Sequence, residues 1–122
     1  MNPKKLNRDD IFQYAKYTYG TEPEYLWRKF PRYAVLRNPN SGKWYGAVME
    51  VPRERLGLAG DGDIDILDVK CAPMLIGPFL ERQGFLPAYH MNKRNWLTIL
   101  LDGSVPEDEI LRLLDLSFDM TE

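Results

Sequence analysis

The densest group of residues able to do chemistry runs from His90 to Trp96, where His90, Asn92, Lys93, Arg94 and Trp96 fall within one short stretch. Histidine titrates near neutral pH, and asparagine both donates and accepts hydrogen bonds. Lysine and arginine contact phosphate, and tryptophan stacks on a planar base. Together they read as a recognition loop. The competing role is structural, with Trp96 opening a core strand while His90 and Asn92 tie the loop to backbone. A second basic group, Arg28, Lys29 and Arg32, has Arg37 and Lys43 nearby around the turn-rich segment 38–42. A hairpin tip carrying such cations would lie along phosphates as a wing, with salt-dependent affinity. The overall pI of about 5.5 opposes strong nucleic-acid binding, which is usually marked by a value above roughly 9.

Acidic and nucleophilic residues offer less. Asp61, Asp63 and Asp65 imitate the start of a calcium loop, but its sixth position is Ile66 and its twelfth is Ala72, so the glycine and the bidentate carboxylate are missing. Cys71 and His90, with Asn92 as orienter, would make a nucleophile and base only if folding brought them together. A free cysteine is more often a small buried hydrophobe. One cysteine and one histidine do not make a zinc set. An acidic ridge from Asp9 and Asp10 with Asp108, Asp115 and Asp119 reads more simply as the wet faces of two helices. No catalytic constellation, metal site or cofactor is expected.

The elements that position these residues can be read along the chain. The 122 residues suit one domain, with 44% hydrophobic and 28% charged residues and a net charge of −2. Residues 1–59 carry eleven Lys/Arg and six Asp/Glu; residues 60–122 carry five and twelve. Folding is expected to pair or solvate these opposed charges. No stretch approaches the roughly 20 apolar residues of a membrane span. The start, Met1 to Leu6 followed by Asn7-Arg8-Asp9-Asp10, does not read as a signal peptide. A lone cysteine gives no intrachain disulfide, so a cytoplasmic protein is expected.

Asn7 as N-cap, Ile11, Phe12, Ala15 and Tyr19 at helical spacing, and Gly20 as a stop predict a helix over Arg8–Tyr19. Short strands are expected at 25–27, 33–37, 43–51 and 63–70, with a hairpin turn at 38–42 and a loop at 57–62. Over 43–51, Trp44, Gly46, Val48 and Glu50 alternate against Tyr45, Ala47, Met49 and Val51. Pro73 opens a second helix with Met74, Leu75, Phe79 and Leu80 as its buried side. Pro78 means that the helix is either kinked there or begins near Gly77, and Gly84 closes it in both cases. Extended segments follow at 86–90 and 96–101. Ser104 and Glu107 have capping-box spacing, ahead of the stripe Ile110, Leu113, Leu114 and Phe118 on a third helix. The expected class is α+β, a mainly antiparallel sheet flanked by helices.

His90-Met91-Asn92-Lys93-Arg94-Asn95-Trp96, with Thr98, Leu101-Asp102-Gly103 and Ser117-Phe118, resembles the signature of the MmcQ/YjbR family. Val69-Lys70-Cys71-Ala72-Pro73 and the stretch 84–89 fit its upstream blocks, although Ala72 replaces the acidic residue often found there. The resemblance covers nearly the whole chain. It implies a CyaY-like, frataxin-like layout with a double-wing arrangement, in a family commonly labelled DNA-binding. The expected function is therefore a non-enzymatic binding domain. Its expected partner is DNA, held through the wing hairpin and the His90–Trp96 loop. A protein-interaction or small-ligand-binding module is the alternative. Membranes are not expected as partners, and the oligomeric state is open.

Overall fold

The computed structural model describes residues 5–122, so the reading of Met1 to Lys4 lies outside the described residues. Helix α1 (Arg8–Tyr19) is followed by strands β1 (Ala34–Arg37) and β2 (Trp44–Pro52), then a 3-10 turn at Arg53–Leu56. Strand β3 (Asp63–Lys70), helix α2 (Pro73–Leu80), strands β4 (Phe85–Pro87) and β5 (Trp96–Leu100) and helix α3 (Glu107–Asp119) complete the chain. All pairings are antiparallel, in the order β1-β2-β3-β5-β4. The class is α+β, as the pattern of short strands and hairpin turns implied. Among the described residues no helix is long and apolar enough to cross a membrane.

The first helix follows its sequence signals closely. The Asn7 side chain accepts from the Asp10 N–H at 2.9 Å, and the Asp10 carboxylate accepts from the Asn7 N–H at 3.0 Å. Gly20 ends the helix in the left-handed region at φ 71°. Ile11 and Ala15 are buried with Leu67, Val69, Leu97 and Ile99 of the sheet and with Ile110, Leu113 and Leu114 of α3. All three helices contribute to this one core. The opposite face carries Val35, Ala47, Met49, Val51, Ile64, Ile66 and Leu100. Among the described residues no α-helix lies over it, and it is covered by Tyr33, Trp44, Leu56, Leu58, Leu86, Tyr89 and Met91.

Strand alternation breaks at one point. Leu36 lies opposite Gly46 but Arg37 lies opposite Trp44, so Tyr45 is an extra residue on β2. Such a bulge reverses the faces of the residues beyond it. Tyr45 accordingly joins Val48 in the helix-side core, and Trp44 joins Ala47 and Met49 on the other side. The simple alternation placed them the other way round.

Five other expectations are corrected. Residues 25–27 form no strand; the segment pairs with the sheet backbone through the isolated Glu24–Val35 bridge, and Tyr25 and Leu26 are exposed. Helix α2 accommodates Pro78, but Ile76 is its buried residue, while Met74, Leu75 and Leu80 face outward. The helix stops at Glu81, and Gly84 serves the next turn at φ 96°, where a Cβ would meet Val105 Cγ2 at 2.5 Å. Residues 88–90 leave the sheet after Pro87, and His90 turns to φ 61°. Ser104 does not cap α3, whose N-cap is Pro106, because Asp102 takes both the Ser104 N–H and its hydroxyl. The stripe Ile110, Leu113 and Leu114 is buried as expected.

Opposed charges meet at one buried point between the halves of the chain. Arg8 is 6% exposed; its guanidinium bonds both Asp65 oxygens, at 2.9 and 3.0 Å, and the Arg32 carbonyl at 2.8 Å. These bonds join α1 to β3 and to the segment that enters β1. Asp115, read from sequence as a wet-face carboxylate, accepts from the hydroxyls of Tyr14 and Tyr19. Breaking a buried pair by removing one partner costs more than an exposed pair contributes. Arg8→Met is expected to destabilise the domain by about 3 kcal/mol in urea unfolding at pH 7, whereas Lys16→Met, which breaks an exposed contact to Glu22, is expected to change it by less than about 0.5 kcal/mol.

Candidate functional site

The face without helices is only partly covered, and the gap is a groove of about 410 Å³. Its lining includes Trp27, Phe30, Tyr33, Trp44, His90 and Met91, with Ala47 and Met49 as floor. The segment 24–33 builds one wall. A turn from Trp27 to Phe30 and another from Phe30 to Tyr33 are each closed by a backbone bond, at 3.1 and 3.0 Å. These turns place Phe30 stacked on Tyr33 at 4.7 Å, and Trp27 edge-on to both Tyr33 and Trp44 at 6.1 and 5.9 Å. Trp27 stays 37% exposed and Phe30 44% exposed. Large apolar rings left this open in a wall are costly unless something covers them.

The opposite wall is the loop 88–95. Asn92 holds it by accepting from the Arg94 N–H at 2.8 Å, while its carbonyl receives the Asn95 and Trp96 N–H groups. The structural role considered for Asn92 is thus realised. The positive φ of His90 sets its exposed ring 4.0 Å from that of Tyr89 and 6.4 Å from that of Tyr33. Arg55, from the 3-10 turn, lines the groove and hydrogen-bonds Tyr89, which raises its pKa. Burial, with the neighbouring Tyr89 second, pushes the Tyr33 hydroxyl up to about 12. A second hollow of about 360 Å³ shares Arg55 and His90 and extends to Lys93.

Of the residues marked in the sequence, His90 lines the groove and, with Lys93, the adjoining hollow, while the other members of the two clusters are not in the groove lining. Arg28 and Lys29 sit exposed on the turn between Trp27 and Phe30, and among the described residues neither has an ion-pair partner. Lys93 and Arg94 are likewise exposed on the other wall. Arg32 is committed elsewhere, to Glu50 at 3.2 Å and Asp65 at 3.9 Å. Trp96 is buried on β5 beneath Lys70, whose Nζ lies 5.7 Å from the ring, so it has no free face for stacking. The hairpin 38–42 is anchored: Asn38 is buried and donates to Thr121 at 3.0 Å, and Arg37 is paired with Glu24 at 3.0 Å. Cys71 is buried, and desolvation raises its thiol pKa, the reverse of what a nucleophile needs.

Sequence reasoning passed over Phe30, Tyr33, Trp44, Arg55 and Asp68. The aromatic residues had a signal, since Trp27, Phe30 and Tyr33 recur every third residue in a turn-rich segment. Asp68 had one too, as the residue that interrupts the row Ile64, Ile66 on the same face of β3. Its side chain is fully buried, opposite Ala47 on one side and Thr98 on the other. Thr98 Oγ donates to Asp68 Oδ1 at 2.5 Å and accepts from the Tyr89 N–H at 2.9 Å. Asp68 Oδ2 has no hydrogen-bond partner among the described residues. Desolvation drives the carboxyl up to about 7, against the opposing effects of the Thr98 bond and the Lys93 charge.

A family model described as YjbR matches residues 17–120. The chain is 46% identical over 117 residues to the uncharacterized protein YyaQ of Bacillus subtilis, covering 96% of this chain and 99% of that one. The crystal structure of a Pseudomonas syringae protein superposes with a TM-score of 0.93 at 42% identity, covering 96% of this chain and 100% of the other. Deinococcus radiodurans protein DR2400, at 18% identity over 98% of this chain and 81% of its own, shares the fold with a TM-score of 0.73.

The raised Asp68 pKa has a stability consequence of definite sign. Between roughly pH 4 and 7 the folded chain holds a proton that the unfolded chain has released. Stability from this group is therefore full below about pH 4 and declines by about 1.4 kcal/mol per pH unit up to 7. Asp68→Asn lacks this dependence. Urea unfolding at pH 4.5 and pH 8 is expected to show the variant gaining on the wild type as pH rises; parallel curves would mean that Asp68 is ionised throughout.

Proposed function

This chain belongs to the YjbR family, and we propose that it is a non-enzymatic binding domain whose groove takes a small ligand with a planar ring. The carrying observation is the open aromatic wall of Trp27 and Phe30 facing His90 and Met91 across the Ala47–Met49 floor. A volume of about 410 Å³ lies within the usual range for small-molecule sites, roughly 300–1,000 Å³. Flat rings offset or edge-on to these side chains gain stacking energy beyond simple burial. Arg55 and His90 at the rim are the polar groups that orient such a ligand.

Nucleic acid is the second reading, favoured by the exposed Arg28, Lys29, Lys93 and Arg94 on the two walls. A base would enter the groove while these cations follow phosphates. A wing hairpin is a weaker part of that reading, because Asn38 and Arg37 are already engaged. Salt separates the two. A neutral ring ligand loses little affinity from low to physiological salt, whereas a strand neutralised by several cations loses it steeply.

Tryptophan fluorescence reports binding directly, since Trp27 and Trp44 line the groove. Planar aromatic compounds are expected to alter it saturably, with Trp27→Ala weakening affinity by about ten-fold, in line with ~1–3 kcal/mol for a stacked ring. Trp27 is partly exposed, so the variant should remain folded. Absence of any saturable response to a panel of such compounds and to short single strands would overturn the binding reading.

A further inference from the structure

We infer that the groove and the hollow beside it form one bipartite site for a planar ring that carries an oxyanion, a carboxylate or a phosphate. The inference rests on the ring-binding reading above and narrows its ligand class. The two cavities, of about 410 and 360 Å³, share Arg55 and His90 in their linings, and Lys93 lines the second. All three side chains are exposed, within reach of a ligand. Two tyrosines set the shared pair. Arg55 hydrogen-bonds Tyr89, and the His90 ring stands 4.0 Å from that of Tyr89 and 6.4 Å from that of Tyr33.

Charge decides what the second cavity accepts. Among the described residues no Asp or Glu lines either cavity, although the chain holds 18 acidic residues against 16 Lys and Arg. Three other surface hollows each have at least one carboxylate in their lining. Glu54 adjoins Arg55 in the chain and the Lys93 charge reaches Asp68, but neither acidic group lines the cavities. Neither Arg55 nor Lys93 forms an ion pair among the described residues. Cations gathered without a carboxylate favour an anion, and the planar guanidinium fork matches two oxygens of a carboxylate or phosphate. The aromatic wall of Trp27 and Phe30 takes the ring, and the oxyanion lies where the two linings meet at Arg55 and His90. One such group gives a shallow salt dependence, unlike the steep loss expected of a nucleic-acid strand.

The test titrates matched pairs calorimetrically into the whole protein at pH 7 and low salt. The pairs are indole-3-acetate with indole-3-acetamide, and adenosine monophosphate with adenosine. The wild type is expected to bind at least one charged member about ten-fold tighter than its neutral partner, as a charge-assisted hydrogen bond implies. Preference in the first pair alone assigns a carboxylate, in the second alone a phosphate, and in both a general oxyanion site. In a double variant, Arg55→Gln with Lys93→Gln, the preference should fall to within about two-fold, because the charge-assisted bonds are gone. Both residues are exposed, so this variant should remain folded. Lys16→Gln removes an exposed cation that lines neither cavity and should keep the preference. On wild-type protein alone, the Arg55 Nε–H NMR signal should move with the charged member and not with the neutral one. Binding of the rings with no preference in either pair overturns the oxyanion site and leaves ring binding standing. A preference that survives the double variant, or that Lys16→Gln lowers as much, places the anion elsewhere and also overturns it. Binding of none of the four compounds, nor of any other planar ring, overturns ring binding and this inference together.

Discussion

A sheet whose two faces are both apolar has to be covered twice, and among the described residues the α-helices lie on only one side. The five strands carry Leu67, Val69, Leu97 and Ile99 toward α1, α2 and α3, and Ile64, Ile66, Met49 and Leu100 away from them. Burying each such side chain contributes about 1.5–3 kcal/mol, so the second face cannot be left to water. Irregular segments do the covering: 24–33, the 3-10 turn and the loop 88–95. Loops conceal less than a helix does, and the aromatic groove is what their incomplete cover leaves open.

This constraint explains where the polar groups go. Loops and termini that cover or flank a sheet must be pinned individually. Arg8 pins the start of β1 and β3 to α1, and Asn38 pins the hairpin to Thr121. Ser117 on α3 receives the Lys70 N–H and donates to the Tyr45 carbonyl at the bulge. Thr98 pins the loop 88–95 through the Tyr89 N–H. Each of these groups is satisfied on both sides of its bond. Asp68 stands apart from them, half bonded in the same interior.

The bulge at Tyr45 matters for the same reason. Without the extra residue, Trp44 would fall on the helix side and Tyr45 on the open side. With it, Tyr45 reaches the Thr21 hydroxyl at 2.8 Å within the helix-side core, and Trp44 becomes a groove wall. A one-residue irregularity in a strand therefore decides which aromatic residue faces the site.

Local signals in the sequence were sufficient wherever neighbours a few residues apart set the outcome. Asn7, Asp10 and Gly20 bounded α1, the 38–42 turn joined β1 to β2, and the stripe Ile110, Leu113, Leu114 marked α3. Where two local options competed, tertiary contacts chose. Ser104 was taken by Asp102 rather than capping α3, and Ile76 was buried in place of Met74 and Leu75. The candidate site was legible as two separate clusters, 28–32 and 90–96, because residue type and spacing show in a linear chain. That Phe30 and His90 from the two segments line one groove, that Arg32 and Trp96 are engaged elsewhere, and that Asp68 is buried between Ala47 and Thr98 depend on register and on a bulge. Those are relations between strands distant in sequence, which no local pattern carries, so only the tertiary structure decided them.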